Sequence, residues 1–167
     1  MQNEIERKFL VKELPNLNGL APIRYERYFL ADQNGYEIRI QKKGDAYELE
    51  RKKSTTNLAS TKIKESLTLE EFERLKHLSQ GEIIRDSYQL SINPSVSLKI
   101  YHGQLEGLAR AEVEFESESA AKEFIPHEWM GNDITDTPLG RDGRLVHINE
   151  AELKKLIANY SSTPSVL

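Results

Sequence analysis

Charged side chains recur on one parity of short alternating segments in this sequence, and that period of two limits most strongly how the chain can fold. In Glu4-Ile5-Glu6-Arg7-Lys8-Phe9-Leu10-Val11, an extended strand puts Glu4, Glu6 and Lys8 on one face. Ile5, Phe9 and Val11 fall on the other, with Arg7 as the exception. Tyr36, Ile38 and Ile40 oppose Glu37, Arg39 and Gln41, and Tyr47 and Leu49 oppose Glu48, Glu50 and Lys52. Ile63 and Leu67 oppose Lys62, Lys64 and Ser66, while Ile84, Tyr88 and Leu90 oppose Arg85, Ser87 and Gln89. Val96, Leu98 and Ile100 oppose Ser97 and Lys99, and Ala111, Val113 and Phe115 oppose Glu112, Glu114 and Glu116. A weaker segment over 23–30 brings the total to eight candidate strands, joined by turn signals such as Lys43-Gly44-Asp45, Asn93-Pro94 and His102-Gly103. An open antiparallel sheet with one solvated face accounts for such alternation, and so does a sheet closed around a charged bore. The pattern alone admits both.

Helices are fewer. Thr68-Leu69-Glu70-Glu71 has the spacing of a capping box, and Leu69, Phe72, Leu75 and Leu78 form one stripe. Residues 117–124 read as a short helix with an acidic start, and residues 149–160 as another with Leu153, Leu156 and Ile157 on one side. These stripes need covering, and the apolar strand faces can receive them. The expected class is α+β, mainly β, in a single domain over 1–160 with a frayed tail at 161–167.

The chain of 167 residues carries 30% charged residues but a net charge of only -4, which argues against a nucleic-acid partner held by bulk basic charge. Cysteine is absent, so a metal would be held by carboxylates, with or without histidine, which points to a hard ion, Mg2+ or Mn2+. No apolar run is long enough to span a bilayer, and the start Met1-Gln2-Asn3-Glu4 lacks the apolar stretch of a signal peptide. The expectation is a cytoplasmic protein with no membrane partner and an oligomeric state left open. His77, His102, His127 and His147 have no ligand spacing. The Gly-rich stretch Pro138-Leu139-Gly140-Arg141-Asp142-Gly143-Arg144 reads as a turn, and Trp129 as an anchor outside the sheet.

The order of segments carries more than any one of them. Glu4-Ile5-Glu6-Arg7-Lys8-Phe9 resembles the opening signature of the CYTH family, also called triphosphate tunnel metalloenzymes. Tyr36-Glu37-Ile38-Arg39 is similar to that family's basic strand, Leu49-Glu50-Arg51-Lys52 to its lysine strand, and Ile84-Arg85-Asp86-Ser87-Tyr88 to its second basic strand. The segment from Gly103 to Glu114 resembles its second acidic motif, and Trp129-Met130-Gly131-Asn132-Asp133-Ile134-Thr135 a later one. The resemblance implies an eight-stranded antiparallel closed tunnel with a charged interior and helices packed outside.

It also implies a substrate, a small-molecule triphosphate or polyphosphate, and a metal-dependent attack of water on the terminal phosphoryl group. By the same resemblance Glu4, Glu6, Glu112 and Glu114 bind metal. Lys8, Arg39, Lys52 and Arg85 grip phosphate on the same ground, and Lys62 and Lys64, which depart from the family pattern, are expected as further substrate contacts. Glu4, Glu6 and Lys8 are the expected catalytic set. The chain departs from the family pattern at several positions. Gln41 and Ser87 stand where the family has arginines, Lys62 and Lys64 where it has glutamates, and Lys99 where it has an acidic residue. Glu26, Glu37, Glu48 and Glu50 fall on the inward parity as partners for these cations. Two readings follow, a phosphohydrolase with an altered tunnel and a tunnel that binds an anion without turning it over.

Overall fold

The alternating segments pair into one antiparallel sheet that closes on itself. A computed structural model describes residues 1–162. Its strands are β1 (Gln2–Val11), β2 (Ile23–Gln33), β3 (Tyr36–Lys43), β4 (Ala46–Ser54), β5 (Ala59–Ser66), β6 (Glu82–Ile92), β7 (Ser95–Tyr101), β8 (Ala109–Glu114) and β9 (Met130–Asp133). They lie in the order β5-β4-β3-β2-β6-β7-β8-β1-β9, and a further β5–β1 pairing completes an eight-stranded barrel. Closure leaves no free edge along most of the wall and sets the charged parity inward. The β2–β3 hairpin turns on Asn34 and Gly35, both at positive φ (52° and 76°), as a tight two-residue turn requires.

The ninth strand lies outside the sequence expectation. Met130 to Asp133 continues along β1 where β5 leaves off, with Val11 opposite Met130 and Phe9 opposite Asp133. Arg7, the outward charge that broke the apolar parity of β1, is what ties this region down. Its guanidinium donates to Asp133 at 2.9 Å and to the carbonyls of Ala121 and Phe124 at 2.8 and 3.1 Å.

Helices α1 (Leu69–Lys76), α2 (Glu118–Glu123), α3 (Asp142–Leu145) and α4 (Glu150–Ser161) complete the fold. The Thr68–Glu71 capping box forms in both directions. Helix α1 stops at His77, so Leu69 and Leu78 of the expected stripe are exposed and only Phe72 is fully buried, against Tyr28 and Ile40. Helix α2 and the Phe124 that follows it lie over Phe9, Ala111 and Val113, with Trp129 packed at the same patch. The outer face of β5 has no such cover, and Ile63 is exposed.

A third apolar cluster fills one end of the barrel. Leu10, Phe29, Ile83 and Tyr101 meet Leu139, Leu145 and Leu153 there. Two sequence expectations change with it. The stretch over 138–144 is a 3-10 turn (Pro138–Gly140) running into α3, not a plain turn. Strand β2 also has the opposite parity to the one read for Glu26: Tyr25 and Arg27 face the bore, and Glu26 lies outside it. Helix α4 extends through Ser161, and residues 163–167 of the expected tail lie outside the described residues. No helix among the described residues is long and apolar enough to cross a membrane.

Candidate functional site

The inward rows of the eight barrel strands surround a cavity of about 430 Å³. Strand β1 contributes Glu4, Glu6 and Lys8, β3 Arg39, β4 Lys52, β5 Lys62 and Lys64, β6 Arg85, and β8 Glu112 and Glu114. All ten residues singled out in the sequence therefore line one space. Register explains the convergence, since Glu6 stands opposite Glu114 and Lys8 opposite Glu112 across the β1–β8 pair. Side chains directly opposite on one face of an antiparallel pair lie within contact reach.

Around β1 each carboxylate has an ammonium partner. Lys62 Nζ lies 2.5 Å from Glu4 Oε1, and Lys52 Nζ lies 3.3 Å from Glu4 Oε2 and 3.2 Å from Glu6 Oε1. Lys8 Nζ is 3.1 Å from Glu6 and donates to the Gly140 carbonyl at 2.8 Å. Gly140 has to be glycine here, because a Cβ would collide with the Ile134 carbonyl. Burial works against ionisation of Glu6, yet Lys8 and Lys52 hold its carboxyl well below the usual range. Glu114, at the rim, is different. Partial burial and the like charges of Glu4, Glu6 and Glu112 push its carboxyl up, and no cation pairs with it among the described residues.

Across the bore the balance reverses. Asp142 projects from α3 into three guanidiniums, with Arg27, Arg85 and Arg110 each 3.1 Å from its oxygens. Tyr101 Oη donates to it at 2.6 Å. Glu112 receives Arg85 at 3.2 Å and Arg110 at 2.6 Å. Although burial opposes it, Arg85, Arg110 and Arg27 hold the Asp142 carboxyl far below its ordinary value. Arg39 is enclosed by Glu37 and Glu50, and Gln41 donates to Glu48 at 2.8 Å and to Glu50 at 3.0 Å. Lys64 reaches Glu50 only at 3.4 Å from the exposed end of its strand. Lys99 Nζ donates to Ser87 Oγ at 2.7 Å and pairs with no carboxylate among the described residues.

The bore is thus polarised. One wall is rich in carboxylates, and the wall formed by β2, β6 and β7 is rich in positive charge. No protein-family model matches the chain. An inorganic triphosphatase from Nitrosomonas europaea is 32% identical over 136 residues, which cover 80% of this chain and 89% of that protein. The chain belongs to the CYTH family of triphosphate tunnel metalloenzymes. A solved structure of an inorganic triphosphatase matches 87% of this chain and 95% of its own, with a TM-score of 0.61 at 29% identity. A conserved hypothetical protein from Pyrococcus furiosus shares the fold, with a TM-score of 0.53 at 18% identity over 71% of this chain and 82% of its own.

A CYTH tunnel implies a divalent metal, and the donor set can be tested against one. No three acidic or histidine side chains converge as a ready-made cage among the described residues. A hard ion such as Mg2+ does not need one, because it keeps several waters and takes one or two carboxylates plus phosphate oxygens. Glu114, lacking a cation and facing Glu6 in register, offers that kind of oxygen site. The residues fit the ion on those terms.

Sequence reasoning missed Arg27, Tyr101, Arg110 and Asp142. Arg110 shares the parity of Glu112 and Glu114 and was readable from it. Arg27 was hidden by the misjudged parity of β2, and Asp142 by an irregular segment with no period to read.

Proposed function

We propose that this CYTH protein is a metal-dependent phosphohydrolase. It takes an inorganic triphosphate or a short linear polyphosphate into the bore and hydrolyses the terminal phosphoanhydride. The observation that carries this reading is the polarised bore in a chain 32% identical to an inorganic triphosphatase. A triphosphate carries several negative charges, so the cation-rich wall of Arg27, Arg85 and Lys99, with Arg110 beside it on β8, takes phosphate oxygens. The acidic wall keeps that chain from lying against it without a bridging ion.

Lys8, Lys52 and Arg39 would bind and orient the phosphate chain from the remaining walls. A divalent ion held by Glu114 with Glu6 or Glu4 would supply Lewis acidity and a more acidic water. Water attacks the terminal phosphorus, the anhydride P–O bond breaks, and the departing oxygen carries the electron pair. Positive charge already fixed around that oxygen needs no reorganisation at the moment of reaction. The Lys62–Glu4 pair belongs to the resting bore, and an arriving cation competes with it.

The test is phosphate release from tripolyphosphate, longer polyphosphates and nucleoside triphosphates, each with Mg2+ and with Mn2+. Glu6→Ala is the control. Turnover that this substitution abolishes is expected. Lack of release at enzyme concentrations matching the substrate, alongside calorimetric binding, would instead make the protein an anion-binding tunnel.

A further inference from the structure

Lys99 is a buried cation with its counter-charge missing. Its residue is 7% exposed, and the only side-chain hydrogen bond it makes among the described residues goes to the neutral Ser87 hydroxyl. An ammonium has three donors, so one neutral partner leaves it underused. Its surroundings add the cations Arg85, Arg27 and Arg110, and Glu112 attracts it without forming an ion pair. The Tyr25 ring on β2 has Arg27, Arg85, Lys99 and Lys43 at 5.2, 5.4, 5.5 and 5.8 Å from its centroid. Of these, Arg27 and Arg85 share Asp142, while Lys43 and Lys99 pair with no carboxylate among the described residues. The buried Nε atoms of Arg27 and Arg85 lack any acceptor among the described residues. A fold does not hold like charges together in a closed space for stability alone, because each would be better solvated outside.

We propose that Lys99, seated on the Ser87 hydroxyl and facing Tyr25, is the principal phosphate-gripping cation of the β2–β6–β7 wall. The hydroxyl positions the ammonium, the two strands being in register with Ser87 opposite Lys99. Ser87 thereby acts through Lys99 and not on the phosphate itself. The subsite takes a non-bridging phosphate oxygen, and the ligand class, a linear condensed phosphate, comes from the reading of the whole bore. A compact single anion such as orthophosphate fills the wall only partly. The inference rests on the reading of the bore as a triphosphate site, but it concerns binding and not turnover.

The experiment is therefore calorimetry with sodium tripolyphosphate on the full chain in EDTA at pH 6.5, with orthophosphate in parallel. Removing one charge-assisted hydrogen bond to the ligand weakens Kd by about 10- to 100-fold, which is the effect expected for Lys99→Met. Lys99→Arg should remain within a few-fold of the native protein. Thermal unfolding of the ligand-free Lys99→Met protein should show a higher Tm, because a buried uncompensated charge has been removed. A merely structural lysine would behave in the opposite way, with Lys99→Met lowering Tm and leaving Kd unchanged. That result overturns the proposal, as does native protein that binds no tripolyphosphate. Failure of hydrolysis with the Kd difference intact would sink the enzymatic reading and leave this one standing.

Discussion

Lys62 Nζ sits 2.5 Å from Glu4 Oε1 across the seam where β5 closes the barrel against β1. The contact ties the closure of the fold to the acidic wall of the site. It also puts a fixed ammonium where the chemistry calls for a mobile cation. At about 4 Å two unit charges interact by roughly 4 kcal/mol near a protein surface, so releasing Glu4 from Lys62 alters its appetite for a metal substantially. Lys62→Ala should lower the Mn2+ concentration for half-maximal phosphate release by about tenfold, a shift that needs only about 1.4 kcal/mol. A metal titration of activity checks this, and an unchanged or raised requirement would count against competition at Glu4.

Glu114 makes the complementary case. It is the acidic-wall carboxylate whose proton affinity is raised, by partial burial and by the charges of Glu4, Glu6 and Glu112. Glu114→Gln keeps the shape and removes the charge. The divalent requirement should rise about tenfold, whereas metal-free tripolyphosphate binding should hold or tighten as a repulsive charge goes. Calorimetry with and without Mg2+ separates the two effects. Loss of metal-free binding would show that Glu114 shapes the bore instead.

What could be read from the sequence was set by period. Glu4, Glu6 and Lys8 alternate cleanly, as do Glu112 and Glu114, so the shared faces followed from spacing alone, while the roles of the residues on them came from the family resemblance. Closure did not follow, because a wet open sheet has the same alternation and the segment order was needed to choose. Strand β2 misled because Tyr25, Tyr28 and Phe29 put aromatics on both parities, and the register shifts between Phe29 and Ala31. Strand β9 is four residues with a glycine among them, too short to show a period. Asp142 lies in a loop-like segment whose inward reach depends on tertiary packing. Gly143 beside it leaves room for the carboxylates of Asp32 and Glu37, which a Cβ there would displace.

Asp142 should be the most costly single charge to remove. It is buried, receives Arg27, Arg85 and Arg110, and accepts from Tyr101. Breaking a buried network by removing one partner costs about 3–5 kcal/mol. For Asp142→Asn, at about 2–4 °C per kcal/mol for a chain of this size, that is a fall in Tm of roughly 6–20 °C. The sign of the pH dependence follows from its depressed carboxyl. Its contribution is complete above the ordinary aspartate value near 3.9 and is lost as pH falls further through the folded-state value. Unfolding scans from pH 3 to 7 should therefore show a gap between native and variant that holds constant down to about pH 4 and only begins to narrow toward pH 3. A gap already closed at pH 5 would mean that Asp142 is not held as a carboxylate by the arginines.

The pH dependence of binding turns on Lys99. Burial pushes its ammonium down to about 7 despite the attraction of Glu112, and Arg85, Arg27 and Arg110 add to the fall. The charged and titratable groups facing it are Tyr25 and Arg27 from β2, Arg85 from β6, and Arg110 and Glu112 from β8. The guanidiniums stay charged through neutrality and Glu112 is held well below its usual range, whereas Lys99 changes charge there. Phosphate binds the protonated form, so binding above pH 7 draws in a proton and weakens as the proton becomes scarce. Without ligand the sign is opposite, since the unfolded lysine keeps its proton to about 10.4 and stability gains as pH rises above 7. Tripolyphosphate titrates too, and Lys99→Arg removes that complication because a guanidinium stays charged throughout. The ratio of native to Lys99→Arg dissociation constants should grow by about 25-fold from pH 6.5 to pH 8.5, where one and a half units above the pKa leave only about 3% of the ammonium. Calorimetry in two buffers of different ionisation enthalpy should register close to one proton taken up per ligand by the native protein at pH 8. A flat ratio with no proton uptake would mean that Lys99 meets the phosphate uncharged or not at all.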